Sequence, residues 1–568
     1  MDLASLPTVG DGRRSGVRLT GETSKGLEPS IVIWQRASVE IRDLRRCRAL
    51  GLIGATALAV GGLTSGALPM GGASYYLSDT ARHSHGLTGA GMACATAGLI
   101  VLIGAWLRVR PLLAGQPKAA RNLLIWWSAP LALAPPMFSR DVYSYLAQGQ
   151  LVGRGLDAYA VGPAALGAGN PLAAQVHPLW MHTPAPYGPV FLAVAAVVVW
   201  VTGTHLVAGV LGMRLVALMS VAVLAVVVPR LAPRCRIDPG LAVWLGVLNP
   251  LVLVHVVAGA HNDALMIALL MTGLLLASGH RRSRSAPSWR MAPAVVLVTL
   301  AALVKAPAAL ALAYLAHLWA VRLGGRWRWI AGIGATTAVA AATVAAVTLG
   351  TGLGLGWVGA LKTPAIVHNG LSVSTDLGDI LAWLGRSFGF AASADSAVTT
   401  TRFAGAALAV VACVLAWVRR DRLDTPGAVG LALGAVVLLG PVVHPWYLLW
   451  ALVPLAAGSR DPRVLRWATG LSVGLSLVIL PHGVSFSLRG IAEAVAGAGI
   501  GLVVLSLREM LQGKPVPVDA EPADHPGGDR GDHGVVPELL AGVDVGDVYL
   551  DERAAQQGAG VADRVRVV

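Results

Sequence analysis

Five polar stretches interrupt a long apolar chain, and their residue types are those of acid–base and anion chemistry. They are Arg140 and Asp141 with Tyr143 and Tyr145; His182 and Tyr187; His261, Asn262 and Asp263; a solitary Lys305; and His444, Trp446 and Tyr447. A carboxylate such as Asp141 suits group transfer to a hydroxyl, because it takes the proton of the attacking alcohol as the bond to the leaving group breaks. Asp263 competes for that role. A phosphate on the donor needs cations or hydrogen-bond donors nearby, and Lys305 and Arg140 are the candidates. Plainer readings stand beside these. Arg140 and Asp141 also suit a charged stop at a span end, a single His such as His177, His368 or His482 suits a satisfied polar residue, and Lys305 suits snorkelling or a carboxylate partner. Three histidines with carboxylates are potential zinc ligands, but no HExxH or comparable spacing is present, so a divalent metal is possible but not indicated.

The elements that must position these residues are helices in a membrane. Of 568 residues 55% are hydrophobic and 13% charged, against about a quarter charged in soluble domains, and the apolar runs are too long for alternating strands. About fourteen such runs lie between residues 50 and 507, which predicts an all-α polytopic domain over 50–511. Residues 1–49 are polar and Arg-rich and predict a partly disordered cytoplasmic arm without a cleavable signal; residues 512–568 turn to Asp, Glu, Gly and Pro and predict a disordered cytoplasmic tail. The four cysteines, Cys47, Cys94, Cys235 and Cys413, show no CxxC spacing and imply neither disulfides nor zinc.

Net charge is +14, gathered in short Arg-rich loops rather than on one soluble face, so it reports topology and not a nucleic-acid partner. With the N-terminal arm inside, the loops Arg108–Arg121, Arg230–Arg236, Arg281–Arg290, Arg322–Arg328, Arg419–Arg422 and Arg460–Arg466 fall on the cytoplasmic side. The parity requires the apolar run from Tyr187 to Trp200, which opens among Pro184, Pro186 and Pro189, to be re-entrant or interfacial. The polar stretches then all face outward, joined by His368, Asn369 and Asp376. Within them, Phe138–Gln150 follows an apolar segment and reads as a helix capped by Ser139, with Asp141 in its first turn. Val142, Tyr145, Leu146 and Gly149 recur at helical spacing, which predicts a membrane-surface helix exposing Tyr143, Ser144, Gln148 and Gln150.

Taken together, SRDVYSYLAQGQL (139–151), HTPAPYGPVFL (182–192), LNPLVLVHVVAGAHNDALM (248–266), the break at Lys305 and HPWYLLW (444–450) resemble the polyprenol-phosphomannose-dependent α-1,6-mannopyranosyltransferases of actinobacteria, the MptA and MptB type. The resemblance runs in order over residues 50 to 507 and does not separate the two subtypes. It implies a GT-C fold of about 13–14 transmembrane helices with extracytoplasmic surface helices. It also implies a plasma-membrane enzyme that takes mannose from a polyprenyl-phosphate carrier on the outer face and extends the α-1,6-mannan of lipomannan-type lipoglycans, with an acceptor built on a mannan or phosphoinositol-mannoside-type glycolipid. It implies inversion at the anomeric carbon and assigns the catalytic base to Asp141. Where some relatives have HNE this chain has HND, which keeps the carboxylate and shortens its reach.

A transporter or lipid-linked-sugar flippase would also combine many spans, broken helices and embedded charge. It would place ionisable residues near the midplane and show repeat symmetry between halves, whereas here the acidic residues gather on one face and the loops are unequal.

Overall fold

Long apolar segments fold as helices because a backbone without water must satisfy its own hydrogen bonds. The computed structural model describes residues 28–70, 80, 84–279, 288–363, 370–388, 394–483 and 488–511, and their regular structure is helical throughout. The described residues fall within one compact unit, residues 1–512. Residues 1–27, the tail beyond 511, His368 and Asn369 lie outside the described residues. Residues 28–49, assigned by sequence to the N-terminal arm, instead form the first turns of α1 (Glu28–Ser65).

The scaffold begins with α1 against α2 (His85–Val109), packed closely enough that a Cβ at Gly98 would lie 2.4 Å from Leu58 N. Next, α3 (Pro117–Leu133) leads to α4 (Asp141–Gly153), α5 (Pro189–Thr202) and α6 (Leu206–Leu231). A short α7 (Pro239–Gly246) is pinned to α2 by Trp106 and Trp244, whose rings stack at 4.6 Å and whose indole N–H groups each donate to the other's backbone carbonyl. A π-helical segment (Val252–Ala258) then breaks before α8 (Asp263–Ala277). The chain continues through α9 (Met291–Ala302), α10 (Leu310–Leu323), α11 (Arg328–Thr351), α12 (Val373–Ser387) and α13 (Ala394–Val418). It ends with α14 (Thr425–Leu439), α15 (Leu448–Gly458), α16 (Pro462–Val478) and α17 (Leu488–Leu511).

Each of the fourteen apolar runs coincides with helix, but fewer are full spans than expected. Among the described residues seven helices are long and apolar enough to cross a membrane, and the π segment with α8 makes an eighth if the 112° bend between them belongs to one span. The rest are short because proline and polar residues cut the runs, at Asn249 and Pro250, at Lys305 to Pro307, and at His444 and Pro445. The breaks at Lys305 and His444, with those at Ser139 and His261, fall at corresponding ends of the helices that flank them. Helices α3, α9 and α14 start from Arg-bearing turns and end at a polar break, while α8, α10 and α15 start from a break and run back toward such turns.

The surface helix expected over Phe138–Gln150 does form, as α4, but not on the surface. Every residue from Val142 to Leu151 is buried, including Tyr143, Ser144, Gln148 and Gln150. Helix α5 lies against one side so closely that a Cβ on Gly149 would sit 2.5 Å from Ala195 O, and Leu146 fills the space at Gly209 of α6. Turns at Pro163–Leu166 and Ala173–Gln175 cover another side. The loop that follows α4 folds back over it.

Candidate active site

Asp141 is delivered by a strained exit from α3. Pro135 and Pro136 offer no N–H to continue that helix, and Phe138 takes a left-handed φ of 64° that its N–H bond to Pro481 O helps to hold. Ser139 Oγ accepts from Asp141 N at 3.1 Å, while the N-cap position itself belongs to Arg140, whose side chain makes no cap. Asp141 Oδ2 lies 3.7 Å from His261 Nδ1, and Tyr145, one turn along α4, places its hydroxyl 3.3 Å from the same nitrogen. Helix α4 is not among the apolar spans. Burial raises the Asp141 carboxyl to about 6, against the opposing pull of the Lys305 charge and the Ser139 hydrogen bond, with Asp263 adding to the rise.

The second wall is the break after the π segment. Gly259, Ala260 at φ 56° and His261 turn the chain so that Asn262 takes the N-cap position of α8, without a side-chain cap, and Asp263 opens the helix. His261, Asn262 and Asp263 are all buried. Asp263 Oδ1 accepts from Lys305 Nζ at 2.8 Å and from the Trp450 indole. Its Oδ2 and both amide atoms of Asn262 have no hydrogen-bond partner among the described residues.

Lys305 stands in extended backbone between α9 and the turn that starts α10. Its ammonium lies over the rings of Tyr447 at 4.7 Å, Trp450 at 5.3 Å and Tyr187 at 5.7 Å. Tyr187 is brought there because Gly188 N and Val190 N donate to Val304 O and Leu303 O, an approach that leaves no room for a Cβ at Gly188. Tyr145, Tyr187 and Phe191 meet edge to face, with centroids 4.8–5.2 Å apart. Trp446 is sandwiched between His261 at 3.8 Å and His444 at 4.6 Å. Asp141, Tyr187, Lys305, His444 and Tyr447 form a partly exposed mouth over a buried floor of His261, Asn262, Asp263, Trp446 and Trp450.

Most of the residues singled out by sequence therefore converge, and three stand apart. His182 is exposed at the C-cap of Pro178–Met181, outside these contacts. Tyr143 turns its hydroxyl to Ala67 O. Arg140 donates to Leu68 O and Gln175 O, so its guanidinium ties the covering loop down and is not aimed at a phosphate. His177 uses Nδ1 to cap the turn at Leu179 N, the plainer of its two readings. For Lys305 the carboxylate partner is Asp263. Trp450, Phe191 and His255 join the site without having been singled out by sequence. His255 lies tilted against Trp446 with centroids 5.3 Å apart, and a titratable residue inside the apolar π segment was its signal. Among the described residues no three His, Cys, Asp or Glu side chains group as metal ligands.

A carboxylate with a raised pKa, a caged ammonium and buried polar groups at the helix breaks of a multi-pass protein define a membrane-embedded group-transfer enzyme. The comparisons with known proteins give its family. Residues 48–321 match the alpha-(1->6)-mannopyranosyltransferase N-terminal domain and residues 374–508 the MptB C-terminal domain. A probable alpha-(1->6)-mannopyranosyltransferase of Mycolicibacterium smegmatis is 33% identical over 82% of this chain and 88% of its own length. Alpha-(1->6)-mannopyranosyltransferase B of Corynebacterium glutamicum is 33% identical over 85% of this chain and 83% of its own. Alpha-(1->6)-mannopyranosyltransferase A of Mycobacterium tuberculosis is 36% identical over 76% of this chain and 84% of its own. The chain belongs to the alpha-(1->6)-mannopyranosyltransferase family and is a mannosyltransferase, which sets the transporter and flippase reading aside. No solved structure matches it.

Proposed function

We propose that this enzyme transfers mannose from polyprenyl-phosphate-mannose to a growing α-1,6-mannan of lipomannan type, at the outer face of the plasma membrane and with inversion. The observation that carries this reading is the placement of Asp141 at the same mouth as the caged Lys305 ammonium. The acceptor's 6-hydroxyl oxygen bonds to the anomeric carbon, its proton passes to Asp141, and the bond from that carbon to the phosphate oxygen breaks. The departing polyprenyl phosphate gains negative charge, which Lys305 offsets. Asp263 and Trp450 hold that ammonium in place, one N–H going to Asp263. Because inversion must give an α linkage, the donor is the β-anomer.

An open apolar face between α9 and α11, lined by Val296, Leu300, Val339 and Ala346, suits the isoprenoid chain of a lipid-linked donor. The outward orientation rests on the Arg-bearing turns at the far ends of the helices that meet in the site. The test is transfer by membranes of a null strain complemented with this chain, supplied with radiolabelled polyprenyl-phosphate-mannose and a short α-1,6-mannoside. An α-1,6-linked product is expected. Transfer from a nucleotide sugar with none from the lipid-linked donor would overturn the proposal.

A further inference from the structure

The two carboxylates of the site stand on separate segments, and both segments leave helix ends gripped by one side chain. Arg214, in the middle of α6 and 1% exposed, donates from Nε to Val257 O at 3.0 Å and from Nη2 to Ala258 O at 2.8 Å, at the end of the π segment. Its Nη1 donates to Ala132 O at 3.0 Å and Ala134 O at 2.6 Å, at the end of α3. These carbonyls need outside donors. The residue four beyond Ala132 is Pro136, which has no N–H, and helix C-termini carry the negative end of the dipole, where a cation is favoured.

Seven residues after Ala134 comes Asp141; five after Ala258 comes Asp263. Each connection contains a non-glycine residue in the left-handed region, Phe138 at φ 64° and Ala260 at φ 56°. Such a conformation is strained for a residue with a Cβ and persists only where the surroundings impose it. The connections also touch, since a Cβ at Gly259 would lie 3.2 Å from Met137 O. We infer that Arg214 is a positioning residue for mannosyl transfer, its guanidinium clamping the ends of α3 and the π segment so that Asp141 and Asp263 stand at the spacing the reaction needs. Four N–H groups in a planar fork reach four carbonyls on two elements. A lysine in its place keeps the charge but has three donors on one nitrogen and cannot span both helix ends.

The inference rests on Asp141 and Asp263 serving the transfer. The test therefore compares Arg214→Lys with Asp141→Asn as purified full-length protein, and turnover is counted per folded molecule from size-exclusion and thermal unfolding. Arg214→Lys is expected to lower kcat by roughly 10²-fold through a misplaced Asp141, and to raise donor KM by a smaller factor, about tenfold or less, through Asp263 and the Lys305 it holds. Adding Ala260→Gly, which removes one left-handed penalty, is expected to restore part of kcat. Wild-type kcat per folded molecule in Arg214→Lys would overturn the inference, as would failure of the lysine variant to fold with and without Ala260→Gly, which would assign the guanidinium to stability alone. Full turnover in Asp141→Asn would instead overturn the site assignment.

Discussion

At the scale of single residues, the candidate site holds one carboxylate at the mouth and one in the floor, and the proposed function gives them different roles. Asp141 is about a quarter exposed, whereas Asp263 is fully buried against Lys305 and Trp450. Asp141→Asn keeps the shape of the side chain but cannot take the acceptor proton, so turnover should fall roughly 10²–10⁴-fold with donor still bound. Asp263→Asn removes the charge that orients Lys305 and should weaken donor binding more than chemistry; loss of turnover confined to Asp263→Asn would exchange the two roles. Burial sets the Asp141 carboxyl at about 6, and only the ionised form is a base. Accordingly kcat/KM should be level above that pH and fall about tenfold per pH unit below it, and the residual rate of Asp141→Asn should lack this acid limb. At Lys305, replacement by Met should cost both donor affinity and rate, while Arg should rescue part of each because it keeps the cation over the three rings. Wild-type kinetics in Lys305→Met would mean that the phosphate is held elsewhere.

Among the elements, α4 and α5 matter most because one bears Asp141 and Tyr145 and the other follows directly on Tyr187 and Gly188. Their separation is set by Gly149, where a Cβ would meet Ala195 O at 2.5 Å. Gly149→Ala should therefore push the helices apart, cost about 1–3 kcal/mol and lower the midpoint of thermal unfolding. At Gly153, four residues on, a Cβ would meet nothing within 4 Å, and Gly153→Ala should leave that midpoint unchanged or slightly raised. Equal losses in both variants would show that helix α4 responds to backbone conformation and not to its distance from α5. The π segment is the other decisive element. Its wider turn and the break after it direct His261 toward Asp141 and Asp263 toward Lys305 from a single reversal of the chain.

For the whole molecule, the asymmetry between Arg-bearing turns and polar breaks gives a test of orientation. With the four native cysteines replaced, a cysteine at Leu179, which is 60% exposed beside His182, should react with an impermeant reagent in intact cells. One at Arg460, half exposed next to Asp424 on the opposite side, should react only after permeabilisation. The reverse pattern would turn the site toward the cytoplasm and remove the outer-face part of the proposed function.

The sequence by itself determined the helical membrane class, the positions of the fourteen helical runs, and most of the polar residues that the structure brings into one cluster. Those features follow from local composition: apolar runs must be helical in lipid, and polar residues interrupting them are costly unless used. Only the tertiary structure decided that Arg140 and Tyr143 bond backbone carbonyls after α1 and in the covering loop, that Lys305 pairs with Asp263, and that α4 is buried on every side. It also decided that the runs are so often broken short, that Arg214 grips the ends of two helical segments, and that Trp450 donates to Asp263. Each of these depends on partners distant in sequence. Arg214 reaches carbonyls more than 40 residues away in one direction and about 80 in the other, and Trp450 reaches a carboxylate 187 residues away. Periodicity and spacing describe which face a residue occupies on its own helix; which helix covers that face is set by packing between segments that the chain brings together only when it folds.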